Sequence, residues 1–436
     1  MARMKSRWQW LVETTVRKLW FRASLFSVFA VATALVAPFA SPRIPPDWLA
    51  VVGADAIDNV LGIIASSMLT VTIFSLTTMV SAYASAASTI TPRATKLLLE
   101  DATSQNAMST FLGAFLFSLV GIIALSTGVY GDSGRLVLFG AAMIVIVVIV
   151  VTLLRWISHI SSLGRMGDTI DRVERAARQA FDDRIALPAL GGWPLAEVPA
   201  SARPLRGEAI GYVQHVDMNA LQAAAGEAGR VWLGVLPGSF VHPSQTLAWT
   251  DFDDEGRCKA VREAVTVGDS RTYEQDPRFG LIVLAEIASR ALSPAVNDPG
   301  TAIDILGTGV RVLDRWCGER ERPGRGEDLA YPSVHVPALS ADDLFEDLFA
   351  PIARDGAGTI EVGIRLQKSL AMLAEAGDDE VKRAAQRMSA IALEHAGKAL
   401  AREADRARLA ELARRVGAGQ GRSAQPEDRR SAAPAG

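Results

Sequence analysis

Cysteine and histidine are scarce in this chain, at two and five of 436 residues. Cys258 and Cys317 supply neither a disulfide framework nor a zinc-ligand spacing, and they suit a reducing compartment. The histidines, at 159, 215, 242, 335 and 395, are scattered without ligand spacing, so no metal site is expected from the sequence. There is no Gly-rich loop ending in Gly-Lys-Ser/Thr, which leaves ATP-driven work unsupported. The letters GDSGR at 131–135 match a serine-protease motif, but no His/Asp framework surrounds them and they read as a turn. The acidic run DFDDEGR at 251–257 lacks EF-hand spacing and reads as a solvated turn. With no nucleophile and no acid–base pair in sight, neither an enzyme nor a cofactor is expected. The net charge of −3 contains no strongly basic segment, so nucleic acid is not an expected partner.

What the chain does have is apolar length. Hydrophobic residues make up 49% of it, and residues 1–164 hold four long apolar runs. That part carries 11 Lys+Arg against 7 Asp+Glu, whereas the remainder carries 34 against 41. A membrane part with a soluble, mildly acidic part attached is the natural reading. A spanning helix needs about 20 mostly apolar residues. The candidates are 23–40, about 57–88, 107–127 and 136–157. The second would be roughly 48 Å long, more than a bilayer core needs, and should tilt or project beyond it. Basic residues crowd the N-terminus, the 89–106 loop (Arg93, Lys96) and the stretch after the fourth run (Arg155, Arg165, Arg172). The positive-inside rule therefore puts both termini in the cytosol.

The second run is unusual in its hydroxyls: SSMLTVTIFSLTTMVSAYASAAST. On a helical period Ser67, Thr70, Thr78, Ser81, Ser85 and Ser88 share a face with Phe74. Two readings compete. Small residues let helix backbones approach closely, and Ser/Thr hydroxyls can bond the carbonyl four residues back, so the stripe would be a packing face. Alternatively, several copies of the helix would line a polar pore. No Lys, Arg, Asp or Glu lies between Asp58 and Arg93, so no buried charge marks a proton relay. Asp55 and Asp58, about a turn apart at the outer end, would form either an acidic ring in an oligomer or a solvated helix start.

Beyond the membrane part, residues 159–202 read as a charged helix and a Gly/Pro-rich connector, and 203–256 as a small β-barrel or sandwich module. Residues 257–415 read as helical and 416–436 as a disordered tail, with 1–22 a cytosolic basic N-terminus and 23–158 the four-helix membrane domain. In the corner RALSPAVNDPGTA, Asp298 before Pro299 has the form of an N-cap with proline at the first helical position. Arg290 and Asp298 could pair across that corner.

RALSPAVNDPGTA and AASTITPRATKLLLEDATSQNAMSTFLGAFLF are similar to the two best-marked stretches of a bacterial membrane-protein family catalogued only as a domain of unknown function. The order of spans, β-module and helical region resembles it too, over most of residues 10–400. Motif-like positions carried by the resemblance are Pro92, Arg93, Arg290, Ser293, Pro294, Asn297, Asp298 and Pro299. Family members commonly show Phe-Ser-Pro-Arg where this chain has Ile90-Thr91-Pro92-Arg93, so the aromatic is absent here. The resemblance implies a bacterial inner membrane and implies no reaction. The combined expectation is a homo-oligomer in the lipid bilayer, with four membrane helices and a cytosolic α+β region. Function divides between an ion channel lined by the second helix and a non-conducting scaffold or sensor. In the second case the cytosolic region would bind a protein or small ligand.

Overall fold

The computed structural model describes residues 54–89, 91–99, 101–126, 132–160, 165–319 and 329–418, with isolated positions before 54. The chain divides into two compact units, the boundary lying between Val173 and Glu174.

The first unit is helical: α1 (Ala54–Thr89), α2 (Pro92–Leu99), α3 (Ala102–Ser126), α4 (Asp132–Ile160) and the start of α5 (Met166–Ala186). Within it Ala56–Ser85, Ala102–Ser126 and Val137–Ile160 are long and apolar enough to cross a membrane. These coincide with the second, third and fourth expected spans. The first expected span, 23–40, lies almost wholly outside the described residues, so the described spans number three and not four. Ile57, Leu61, Phe117, Leu138 and Ala142 form one core cluster at one end, and Ile64, Met68, Phe111, Ile149 and Trp156 belong to a second. Gly121 lets α1 approach α3, because a Cβ there would stand 3.0 Å from Leu61 Cδ1. A polar tie crosses this apolar interior: Trp156 Nε1 donates to Ser75 Oγ at 2.9 Å, which satisfies two groups that would be costly to bury alone. Outward, Ile144, Val147, Leu154 and Ile157 of α4 are exposed. Such an apolar surface would be a liability in water and is ordinary against lipid.

The second unit completes α5 and then alternates strands with helices. Its elements are β1 (Gly192–Pro194), β2 (Arg203–Arg206), β3 (Gly211–Val216), α6 (Met218–Ala225), β4 (Val231–Leu233), β5 (Phe240–Val241), β6 (Thr246–Thr250), α7 (Glu255–Ala264) and β7 (Val265–Gly268). There follow α8 (Pro277–Ala291), α9 (Pro299–Glu319), β8 (Tyr331–Val336), α10 (Ala341–Asp355), α11 (Ile360–Ala376), α12 (Asp379–Ala399) and α13 (Glu403–Ala418). A five-stranded sheet has the order β1-β8-β4-β6-β2, and a three-stranded antiparallel sheet the order β5-β3-β7. The β-rich segment 203–256 therefore does not close on itself as a barrel or sandwich. Its larger sheet recruits β1 and β8 from outside, and β8 enters parallel to both β1 and β4. One apolar core, including Val213, Leu221, Val231, Leu247, Val261 and Val334, holds strands, α6 and α7 together.

The helices that follow begin on side-chain caps. Asp276 accepts from Phe279 N, Ser340 from Asp343 N and Asp378 from Val381 N, each satisfying an amide that the helix cannot. The corner between α8 and α9 is built the same way. Ser293 Oγ donates to the Arg290 carbonyl at 2.7 Å, Asn297 N to the Ser293 carbonyl at 2.8 Å, and Asn297 takes φ +49°. Asp298 accepts from the Thr301 amide at 3.1 Å and the Thr301 hydroxyl at 2.6 Å, and Pro299 starts α9. The carboxylate expected to reach across to Arg290 is thus committed to capping, and those hydrogen bonds hold it below the usual range. Pro294 and Asn297 are exposed.

Candidate functional site: a hydroxyl face and a charged collar

Three faces of α1 can be told apart at 3.6 residues per turn. Ile57, Leu61, Ile64, Met68, Ser75 and Met79 are buried and face the unit's own helices. Leu69, Ile73, Leu76 and Val80 are exposed and apolar, as a lipid-facing surface requires. The third face carries the hydroxyls. Thr70, Ser81 and Ser85 are exposed, and Ser67 and Thr78 half-buried. Ser88 continues the helix, but its side chain lies outside the described residues, as does that of Asp55. Asp58 is exposed at the far end of α1.

Back-bonding quiets part of this face. Ser67 donates to the Ile63 carbonyl at 2.6 Å, Thr70 to Ser66 at 2.9 Å and Thr78 to Phe74 at 2.9 Å. Each hydroxyl proton is then spent on the helix backbone, and the oxygen presents lone pairs outward. Near the end of the helix the face deepens into an open hollow of about 460 Å³, lined by Phe74, Thr77, Thr78, Ser81 and Ser85 with Ile160 of α4. Thr77 belongs to this hollow although the stripe as read from the sequence omitted it, since it sits one position off the chosen face.

A charged collar stands at the α2–α3 junction of the same unit. Asp101 is only 8% exposed and caps α3, accepting from the Ser104 amide at 2.8 Å and hydroxyl at 2.7 Å. His159, at the end of α4, lies with Nε2 2.8 Å from its Oδ2, and Arg172 of α5 donates Nη1 to its Oδ1 at 2.7 Å. Arg172 also donates Nε to Asp168 at 2.8 Å. Burial opposes the Asp101 charge, but hydrogen bonds from Arg172 and Ser104 outweigh it and bring the carboxyl down to about 2. The same pairing raises Arg172, against its own burial. Sequence reading missed the collar because residues 101, 159 and 172 are joined only by folding. The one local signal was Asp101 three residues before Ser104, an N-cap pattern.

The motif-like residues fall into two groups. Pro92 is the first residue of α2 and Arg93 the second, both exposed. Arg290, Ser293, Pro294, Asn297, Asp298 and Pro299 lie together in the α8–α9 corner of the other unit. Among the described residues no three His, Cys, Asp or Glu side chains cluster closely enough to hold a metal ion.

The model of the family described as Predicted membrane protein (DUF2254) matches residues 16–372. Uncharacterized protein Rv1290c of Mycobacterium tuberculosis (strain ATCC 25618 / H37Rv) is 38% identical over 121 residues, 25% of this chain and 22% of the relative. Uncharacterized protein Mb1321c of Mycobacterium bovis matches with the same figures. The chain thus spans only 22% of the length of these curated relatives. No solved structure matches it significantly. With most of its length matched by the family model and three membrane-length helices ahead of a sheet-containing region, the chain belongs to this family of predicted membrane proteins.

Proposed function

We propose that the protein is a homo-oligomeric ion channel of the bacterial inner membrane, with the hydroxyl face of α1 turned toward a lumen shared between copies. The observation behind this reading is the exposure of Thr70, Ser81 and Ser85 beside a distinct apolar exposed face. Lipid accounts for the apolar face, and the subunit's own core accounts for the buried one. A hydroxyl face left over on a membrane helix is best occupied by water and ions, or by another helix. A lumen needs several copies, because so few helices cannot enclose a pore alone. Positive residues on the 89–106 and post-α4 segments support a cytosolic placement of those segments and of both termini. The sheet-containing region would then be the cytosolic regulator.

The back-bonded hydroxyls favour a second reading, a non-conducting scaffold or sensor. Ser67, Thr70 and Thr78 need no water to satisfy their protons, so the face could be a dry seam between copies. Ion flux from liposomes holding the purified full chain separates the two. Ser81→Trp should abolish flux while the oligomer stays intact, and Val80→Trp, on the lipid-facing side, should leave it largely unchanged. Absence of wild-type flux across varied voltage, tension and salt would remove the channel reading and leave the scaffold.

A further inference from the structure

In the second unit α9 and α11 lie against each other and run the same way: Gly307 meets Arg365 and, further along, Gly318 lies near the Ala376 carbonyl. Gly307 is buried under the Arg365 guanidinium, whose Nη2 stands 2.9 Å from where a Cβ at 307 would be. Arg311 brings Nη1 to 3.8 Å from the same point. Two guanidinium groups therefore converge over a floor that only glycine leaves flat.

Their charges are unequally answered. Arg311 makes a bidentate pair with Glu174, at 2.9 and 2.5 Å, and donates to Thr308 Oγ1 at 3.0 Å. Glu174 is shared with Arg178 at 2.8 Å. Arg365 forms no ion pair among the described residues, and its buried Nε has no hydrogen-bond partner. Glu361, one turn earlier on α11, is positioned for an ordinary i,i+4 pair, yet Arg365 is directed over Gly307 instead. A planar donor fork beside a second guanidinium, with a surplus of positive charge, is the geometry that recognises a tetrahedral oxyanion.

We propose that the guanidinium groups of Arg311 and Arg365, brought together over Gly307, bind a phosphate-class anion. The chemistry is the same whether the phosphate is free or carried on a lipid headgroup, and the binding does not depend on the channel reading. Calorimetric titration of the full chain in phosphatidylcholine nanodiscs with inorganic phosphate tests the free form. Melting temperatures in nanodiscs with and without phosphatidic acid test the headgroup. Arg365→Gln should weaken phosphate binding at least about tenfold or erase the phosphatidic-acid shift. Gly307→Ala should do the same by displacing the guanidinium, and Arg365→Lys, which keeps the charge and loses the fork, should fall between. Lys398→Gln, an exposed cation elsewhere, controls for diffuse attraction and should bind as wild type. Circular dichroism melting shows that each variant folds. The proposal is overturned if Arg365→Gln binds as wild type. It is equally overturned if neither phosphate up to roughly 10 mM nor phosphatidic acid has any effect on the wild type.

Discussion

At the scale of single residues, Asp101 is a side chain on which contacts from three helices of the membrane unit converge. It caps α3, meets His159 from α4 and neutralises Arg172 from α5. Asp101→Asn keeps a capping oxygen but strands a buried guanidinium with Asp168 alone. It should destabilise the unit by roughly 3 kcal/mol, within the range for breaking a buried pair, read as a fall in melting temperature in detergent. Because the folded carboxyl is depressed to about 2, its contribution is complete above the ordinary aspartate range and disappears as pH falls toward that value. The gap between wild-type and Asp101→Asn melting temperatures should therefore close as pH falls toward that value. A gap that persists undiminished at the acid end would show that the charge is not the cause. Arg184 is the opposite case. Burial pushes its guanidinium down to about 10 despite the nearby Asp276, Nη2 reaches only the Gln275 carbonyl at 3.3 Å, and Nη1 has no partner. Arg184→Met should cost less than about 1 kcal/mol or stabilise, since an apolar residue of similar volume escapes the desolvation cost. Denaturant unfolding of the full chain measures it.

At the scale of elements, α1 does three jobs with one helix, and each face has its own test. The buried face depends on apolar contact plus the Trp156–Ser75 bond, so Trp156→Phe should lower stability by about 1 kcal/mol and leave the other two faces alone. The apolar exposed face should tolerate large residues such as Trp at Val80. In the hydroxyl face, cysteine at Ser81 or Ser85 should react with a membrane-impermeant thiol reagent if water reaches it, and cysteine at Val80 should not. The native thiols, Cys258 and Cys317, are both buried and give a low background. Protection at Ser81 and Ser85 in an intact oligomer would favour the dry seam. Much of this element was legible: its helix, its length and its hydroxyl period follow from spacing alone. Which hydroxyls served the core was not, because Ser75 has the same composition signal as Ser81 and differs only in what folds against it.

Across the whole molecule, both functional readings require association between copies, around a shared lumen in the first and along a dry hydroxyl seam in the second. Ser81→Cys should accordingly cross-link between copies in native membranes under mild oxidation, whereas Val80→Cys should not. A protein that stays monomeric in membranes by single-molecule counting would sink both readings. The division of the chain near residue 173 follows the shift in composition, with membrane-length apolar runs on one side and short, charge-broken ones on the other.

Sequence by itself determined what is local. Runs of apolar residues marked α1, α3 and α4 because a bilayer demands uninterrupted length, and the Asp-Pro pair at 298–299 marked a helix start because the first amides need an acceptor. The two quoted motifs identified the family whose model matches residues 16–372. Tertiary structure decided whatever joins residues far apart in the chain. Strand β8 is remote in sequence from its neighbour β4, and parallel pairing leaves no turn signal to betray it. The collar of Asp101, His159 and Arg172, and the meeting of Arg365 with Gly307, have no local signature either. Their energies come from the loss of water around charged groups, and only packing determines which groups lose it.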